Sequence, residues 1–215
     1  MSVITVLIIA NGLLPEDGIL QKCVREADAI ICADGGANQA LSRQIRPDYV
    51  VGDFDSIRLE TRLALTGTIF VQRPSQYSND LEKSLHYAED LGANRVLLVG
   101  ATGLRLDHQI CNLSIVQKFC ARVQIIMYDD YGVGCFLTPD REHIFDLSVG
   151  RQVSLFSFGN AQGIVTQGLK YPLHNESLEW AIRDGLSNEV VETPVKIRFG
   201  SGMLFFYRVR VISSR

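Results

Sequence analysis

An open α/β domain followed by an all-β module is the fold class this sequence predicts, on three observations. Up to about residue 128, short apolar runs alternate with segments of helical periodicity. Acids and glycines recur where the apolar runs end. Beyond about Thr138 the helical period fades, and short alternating runs separated by turn residues replace it.

Residues 3–10 (VITVLIIA) are near-continuously apolar, the pattern of a strand covered on both faces in a parallel sheet, and Asn11-Gly12 ends the run. After the turn at residues 15–18, Leu20, Cys23, Val24 and Ala27 recur at helical spacing, and residues 29–33 make a second strand. That strand empties into Asp34-Gly35-Gly36-Ala37-Asn38, followed by a helix through Ala40, Leu41 and Ile45. In open α/β sheets ligands bind at this end of the strands, beside helix N-termini whose free amides suit phosphate. Residues 49–51 form a third strand, a helix runs through Leu59, Leu63 and Leu65, and residues 68–72 form a fourth strand. A helix over 81–91 follows, with Ser78 or Asn79 as its cap and Asp80 in its first turn. Residues 95–99 and 123–128 are strands on either side of a helix through Ile110, Leu113, Val116 and Phe119.

In the later part, strands are expected over 143–147, 152–158, 163–171, 190–199 and 203–212. The boundary falls in residues 131–139, giving a first domain over 1–135 and a second over 139–215. Roughly 75 residues make a small module, so docking to the first domain or to a second subunit is expected.

The stretch PDYVVGDFDS, residues 47–56, offers two acids after an apolar run. If Asp53-Phe54-Asp55 were extended, both carboxylates would point to one side. At an effective dielectric near 20, two negative charges about 4 Å apart repel by about 4 kcal/mol, so such a pair binds a metal or shares a proton. A turn whose acids face water explains the pair equally well when it is taken alone. Asp34, Asp80 and Asp107 tip the balance, because each also lies after a predicted strand or at the start of the next helix. Arg73, Arg105 and Lys83 lie in the same connections and could meet an anion, although a solvated helix charge is the plainer reading of Lys83.

The composition narrows the function. A chain of 215 residues, 47% hydrophobic and with a net charge of −3, is globular and has no basic field for nucleic acid, so small molecules are expected. Residues 3–10 are too short to span a bilayer and lack a basic start, so neither membrane anchorage nor a leader is expected. Five cysteines without a CxxC pair fit reduced core residues in a cytoplasmic protein, and nothing suggests zinc. There is no GxxxxGK[ST] and no GxGxxG. Clustered acids, a few bases and glycine turns suit a Mg²⁺-bridged polyphosphate and a phosphoryl or pyrophosphoryl transfer. An aspartate suffices to orient the attacking hydroxyl and take its proton as the bond forms.

Six motifs in this order resemble the thiamine pyrophosphokinase family: ADGGAN (33–38), PDYVVGDFDS (47–56), NDLEKSL (79–85), GATGLRLDH (100–108), GLKYPL (168–173) and LSNE (186–189). The resemblance implies an N-terminal α/β nucleotide domain, a C-terminal β-sandwich, and a homodimer using ATP and thiamine. It implies Mg²⁺ on Asp53, Asp55 and Asp80, with Asp107, Arg105 and Asp80 at the chemistry. Asn11, Gly12, Asp34, Gly35, Gly36, Asn38, Arg73, Thr102 and Gly103 would lie against the nucleotide. Gly168, Leu169, Tyr171, Ser187 and Asn188 would line the vitamin pocket. Two departures stand out: Leu104 replaces the second glycine usual before the LDH triplet, and Gln76-Tyr77-Ser78 replaces a usual Lys-Asp loop. A non-catalytic thiamine or nucleotide sensor, and a pyrophosphokinase for another small alcohol, are the competing readings. Trp180 is expected to pack, with ring stacking on a ligand as the alternative.

Overall fold

The computed structural model describes residues 3–74, 77–139 and 141–210. Gln76 in the departing loop, and residues 211–212 of the last expected strand, lie outside the described residues. The chain divides into two compact units, Met1–Asp130 and Tyr131–Arg215.

The first unit is an α/β sheet of six strands: β1 (Thr5–Ile9), β2 (Ala29–Ala33), β3 (Tyr49–Gly52), β4 (Ile69–Gln72), β5 (Arg95–Val99) and β6 (Gln124–Tyr128). All pairings are parallel, in the order β6-β5-β1-β2-β3-β4. Val6, Leu7, Ile8 and Ile9 of β1 are fully buried, as the unbroken apolar run requires of a central strand. The chain winds outward from β1 to β4, then returns to the other side of β1 as β5. The β1/β5 crevice is therefore the topological switch point, where open α/β sheets take ligands.

Five helices connect the strands: α1 (Asp17–Glu26), α2 (Gly36–Ser42), α3 (Leu59–Ala64), α4 (Asp80–Asp90) and α5 (Leu106–Phe119). Leu20 and Cys23 anchor α1, Leu81, Leu85 and Ala88 anchor α4, and Ile115, Val116 and Phe119 anchor α5. The apolar periodicity misleads in two places. Leu59 and Leu63 of α3 are 71% and 70% exposed while Thr61 is buried, and Ile110 on α5 faces solvent.

The second unit is a β-sandwich of β7 (Gly132–Leu137), β8 (His143–Phe145), β9 (Gln152–Phe156), β10 (Asn160–Gln167), β11 (His174–Glu179), β12 (Gly185–Glu189), β13 (Val195–Arg198) and β14 (Leu204–Val209). One antiparallel sheet runs β12-β9-β14-β7 and the other β11-β10-β13-β8. Leu155, Leu204 and Phe206 from the first sheet share one core with Ile164, Leu178 and Ile197 from the second.

Three strands here escape the sequence pattern. Residues 131–139, expected as a boundary, hold β7, which pairs with β14 along its whole length. A Cβ on Gly134 would stand 2.4 Å from the Phe205 ring, so the strand needs a bare backbone there. β11 is a mostly polar edge strand with only Leu178 buried, and β12 pairs with β9 through a register shift, so neither shows clean alternation. The strand expected over 163–171 is β10, three residues earlier at its start and ending at Gln167.

Candidate active site

Three carboxylates converge at the carboxyl ends of the strands in the α/β unit. Asp34 follows β2 with φ +38°, a left-handed conformation tolerated by Asp better than by most residues. Its side chain is buried and accepts the N–H groups of Ser56, at 3.3 Å, and Ile57, at 3.0 Å. Asp53 follows β3, and Asp80 opens α4, where Asn79 Oδ1 caps the helix by accepting the Glu82 N–H at 2.9 Å. Oxygens of Asp34, Asp53 and Asp80 all lie within 4.8 Å of one another. A Cβ on Gly52 would stand 2.8 Å from Asp34 Cβ and 3.2 Å from Asp80 Oδ1, so glycine at the end of β3 permits the convergence.

Lys83, one turn into α4, is 5% exposed and points at the cluster, with Nζ 2.9 Å from Asp80 Oδ1 and 3.4 Å from Asp53 Oδ2. It is not the solvated helix charge expected from the sequence. Helix phase decides this, because i and i+3 share a face and Asp53 stands opposite that face.

The electrostatics follow from these neighbours. Burial pushes Asp34 up to about 6, and Asp80, Asp55 and Asp53 add repulsion that its hydrogen bond from Ser56 only partly offsets. Burial also raises Asp80, against the pull of Lys83. Burial opposes ionisation of Asp53 too, but the charge and hydrogen bond of Lys83 outweigh it and leave Asp53 below the usual carboxylate range.

Asp55 stands apart from the trio. β3 ends at Gly52 and Phe54 takes φ +69°, so Asp53-Phe54-Asp55 is not extended as the sequence suggested. Phe54 packs edge-on against Phe70 at 5.6 Å, with the Arg62 guanidinium over its ring. Asp55 is exposed and accepts the Ser56 hydroxyl at 2.8 Å. The close carboxylate cluster contains Asp34 in its place.

Three carboxylates suit Mg²⁺, a hard cation with oxygen ligands. Around one octahedral Mg²⁺ the ligands stand about 2.9–4.1 Å apart, so a small inward rotation of these side chains would reach that geometry.

Beside the trio, a cavity of about 350 Å³ opens at the switch point. Asn11, Gly12, Gly35, Asp80, Thr102 and Arg105 line it, which joins three of the motifs to the Asn11-Gly12 turn. Gly12 donates its N–H to Gly100 O at 2.7 Å, and the Leu13 N–H reaches Thr102 O at 2.9 Å, so the turns after β1 and β5 are tied together. Gly36 is buried, and a Cβ on it would meet Ile9 O at 2.2 Å. Gly103 adopts φ +95° against Leu13. Leu104, the departing residue, is 57% exposed and still lines the cavity.

Other predicted residues are placed differently. Arg105 Nε and Nη2 grip the Asp107 carboxylate at 3.2 and 2.6 Å, an exposed pair that lowers Asp107 by the hydrogen bond of the guanidinium. Arg105 lines the cavity and Asp107 does not. Arg73 does not line it either. Its guanidinium pairs with Asp90 at 2.8 Å, at the far end of α4 from Asp80. Asn38 acts as a brace: Nδ2 donates to Ser56 O and Oδ1 accepts the Arg58 N–H, both at 3.0 Å.

In the β-sandwich the two motifs bind each other. Asn188 is buried. Its Oδ1 accepts the Tyr171 N–H at 3.1 Å, and its Nδ2 donates to Tyr171 O at 2.8 Å. Leu169 is 4% exposed and belongs to the sandwich core, so it is no direct ligand contact. Gly168 takes φ +80°, where a Cβ would stand 2.4 Å from Glu192 O. Tyr171 and Ser187 are exposed, and Ser187 has φ +57°. Trp180 stacks on Phe158 at 4.8 Å and 25° while remaining 59% exposed.

Several lining residues were missed in the sequence. His108, Gln109 and Asn112 share one face of α5 with Arg105, and Asn112 Nδ2 donates to Ala101 O at 2.8 Å. Their i, i+3, i+4 and i+7 spacing from Arg105 was the available signal. Cys111 is exposed, unlike buried Cys23 and Cys32, so the expectation of core cysteines holds for only part of the set.

Residues 20–128 match the family model described as thiamin pyrophosphokinase, catalytic domain, and residues 142–204 match thiamin pyrophosphokinase, vitamin B1 binding domain. Thiamine pyrophosphokinase 1 of Oryza sativa subsp. japonica is 26% identical over 84% of this chain and 78% of its own. Thiamine pyrophosphokinase of Bacillus subtilis (strain 168) is 26% identical over 95% of this chain and 98% of its own. A crystal structure of the thiamine pyrophosphokinase from Bacillus subtilis superposes with a TM-score of 0.83 at 24% identity, over 97% of this chain and 100% of the other.

Proposed function

The chain belongs to the thiamin pyrophosphokinase family and catalyses formation of thiamine diphosphate, and we propose that it does so by moving the pyrophosphoryl group of MgATP onto the hydroxyethyl oxygen of thiamine, releasing AMP. The observation that carries this reading is the convergence of Asp34, Asp53 and Asp80 beside the cavity lined by Asn11, Thr102 and Arg105. Asp34, Asp53 and Asp80 hold Mg²⁺, with Asp55 close enough to add to the field. Bound there, the ion neutralises phosphate charge and helps align the displacement.

The nucleotide lies in the cavity, against the turns at Gly12, Gly35 and Gly103. Arg105 exchanges Asp107 for a phosphate oxygen, because a planar guanidinium serves either anion bidentately. That exchange frees Asp107 for the substrate hydroxyl. The hydroxyethyl oxygen bonds to the β-phosphorus as the bond from that phosphorus to the oxygen leaving with AMP breaks. Asp107 accepts the hydroxyl proton late, when the oxygen has become acidic. Tyr171 and Ser187 contact thiamine, and Gly168, Leu169 and Asn188 shape the turn that presents them. The enzyme works as a homodimer in the cytoplasm.

Incubation with MgATP and thiamine tests this reading by chromatography of the products. Equal amounts of AMP and thiamine diphosphate are expected; ADP with thiamine monophosphate would replace it with single phosphoryl transfer.

A further inference from the structure

Lys83 has no part in the scheme above, yet it is among the most unusual side chains of the α/β unit. It is 5% exposed, although lysines rarely leave solvent completely. It also lies in the first turn of α4, where the helix dipole disfavours a cation. Burial and dipole both oppose an ammonium here, so its carboxylate partners must hold it. Those partners are Asp80 at 2.9 Å and Asp53 at 3.4 Å, two of the three acids in the close cluster. Glu82 on the same helix turns to Lys118 and leaves this contact intact.

We propose that Lys83 sets the metal affinity of the site, as a fixed internal cation that bridges Asp53 and Asp80 and keeps binding of a bare divalent ion weak. This inference rests on the reading of Asp34, Asp53 and Asp80 as metal ligands. The consequence is order: the ion binds well only together with a polyphosphate, whose negative charge outweighs the one positive charge of Lys83. Without a cation at this position, Asp34, Asp53 and Asp80 would capture a divalent ion in the absence of nucleotide. A unit positive charge beside a divalent ion weakens its binding about tenfold even at the dielectric of water. Lys83 is thus a positioning residue, acting through its two aspartates.

The test is calorimetric titration of the unmodified chain, Lys83→Met and Lys83→Arg with MnCl₂ in the absence of nucleotide. Lys83→Met should bind Mn²⁺ at least about tenfold more tightly than the unmodified chain, and Lys83→Arg within about twofold of it. A folded Lys83→Met protein, checked by circular dichroism, that binds Mn²⁺ no more tightly would overturn the inference and leave the metal reading standing. If Lys83→Met does not fold alone, millimolar MnCl₂ should restore its circular dichroism while NaCl of equal ionic strength should not. Failure of that rescue also overturns the inference. An unmodified chain that binds no Mn²⁺ even with ATP present would remove the metal reading, and the inference with it.

Discussion

In the α/β unit the motif residues Asp34, Asp53 and Asp80 bring carboxylate oxygens within 4.8 Å of one another, whereas in the β-sandwich Asn188 spends its amide on the backbone of Tyr171 and Leu169 is sealed in the core. The first set carries chemistry on its side chains. The second sets the path of a backbone, and the functional surface is whatever that path exposes. The difference follows from the frames. Parallel strands end together, so successive strand ends deliver side chains to one place; antiparallel strands turn back, so a site between turns depends on pinning the turns.

The contrast can be broken at its strongest point first. Asp53→Asn should lower turnover at least about 100-fold while the far-UV circular dichroism stays unchanged, since removing a carboxylate from a crowded set does not open the fold. Unchanged turnover at limiting Mg²⁺ would remove Asp53 from the ligand set. In the sandwich, Asn188→Ala should instead cost stability, about 1–2 kcal/mol in urea unfolding, because it removes both side-chain partners of the part-buried Tyr171 backbone groups. Its kinetic signature should be a rise in KM for thiamine larger than any fall in kcat.

The buried acid gives a pH-dependent version of the same contrast. The pKa of Asp34 rises from 3.8 to about 6 on folding, so between these values the folded chain binds more protons than the unfolded one. That contribution is present below 3.8 and is lost as pH rises through about 6. Asp34→Asn cannot ionise but keeps an acceptor for only one of the Ser56 and Ile57 N–H groups, so it should be less stable than the unmodified chain near pH 4, and the difference should shift in its favour by up to about 3 kcal/mol towards pH 7.5. A difference in melting temperature that is flat with pH would contradict the buried, repelled carboxylate. The smallest effect belongs to Ser187→Ala, where stability should change by under about 0.5 kcal/mol, because its backbone rather than its hydroxyl holds β12. A larger loss would mean that this motif, too, works through a side chain.

The sequence carried the strand-end acids plainly, because each follows an apolar run and the parallel arrangement does the gathering. It could not carry the exchange of Asp55 for Asp34 in the close cluster. That depends on Phe54 taking φ +69° to pack on Phe70, a tertiary demand invisible in an alternating acid-ring-acid triplet. Lys83 was legible only with the phase of α4 and the position of Asp53 both in hand. Arg73 misled because its connection lies at the right end of the sheet while its side chain turns to Asp90. In the sandwich, β7 hid behind glycines that make room for Phe205 and Tyr207, and β11 behind its polar exposed face.

Crystals soaked with MnCl₂ and a non-hydrolysable ATP analogue test the central claim most directly, through anomalous scattering from the metal. The account predicts a Mn²⁺ peak bounded by oxygens of Asp34, Asp53 and Asp80, with the triphosphate reaching it from the cavity beside Asn11 and Arg105. A peak on Asp55 away from Asp34, or a triphosphate bound with no metal at these carboxylates, would contradict it.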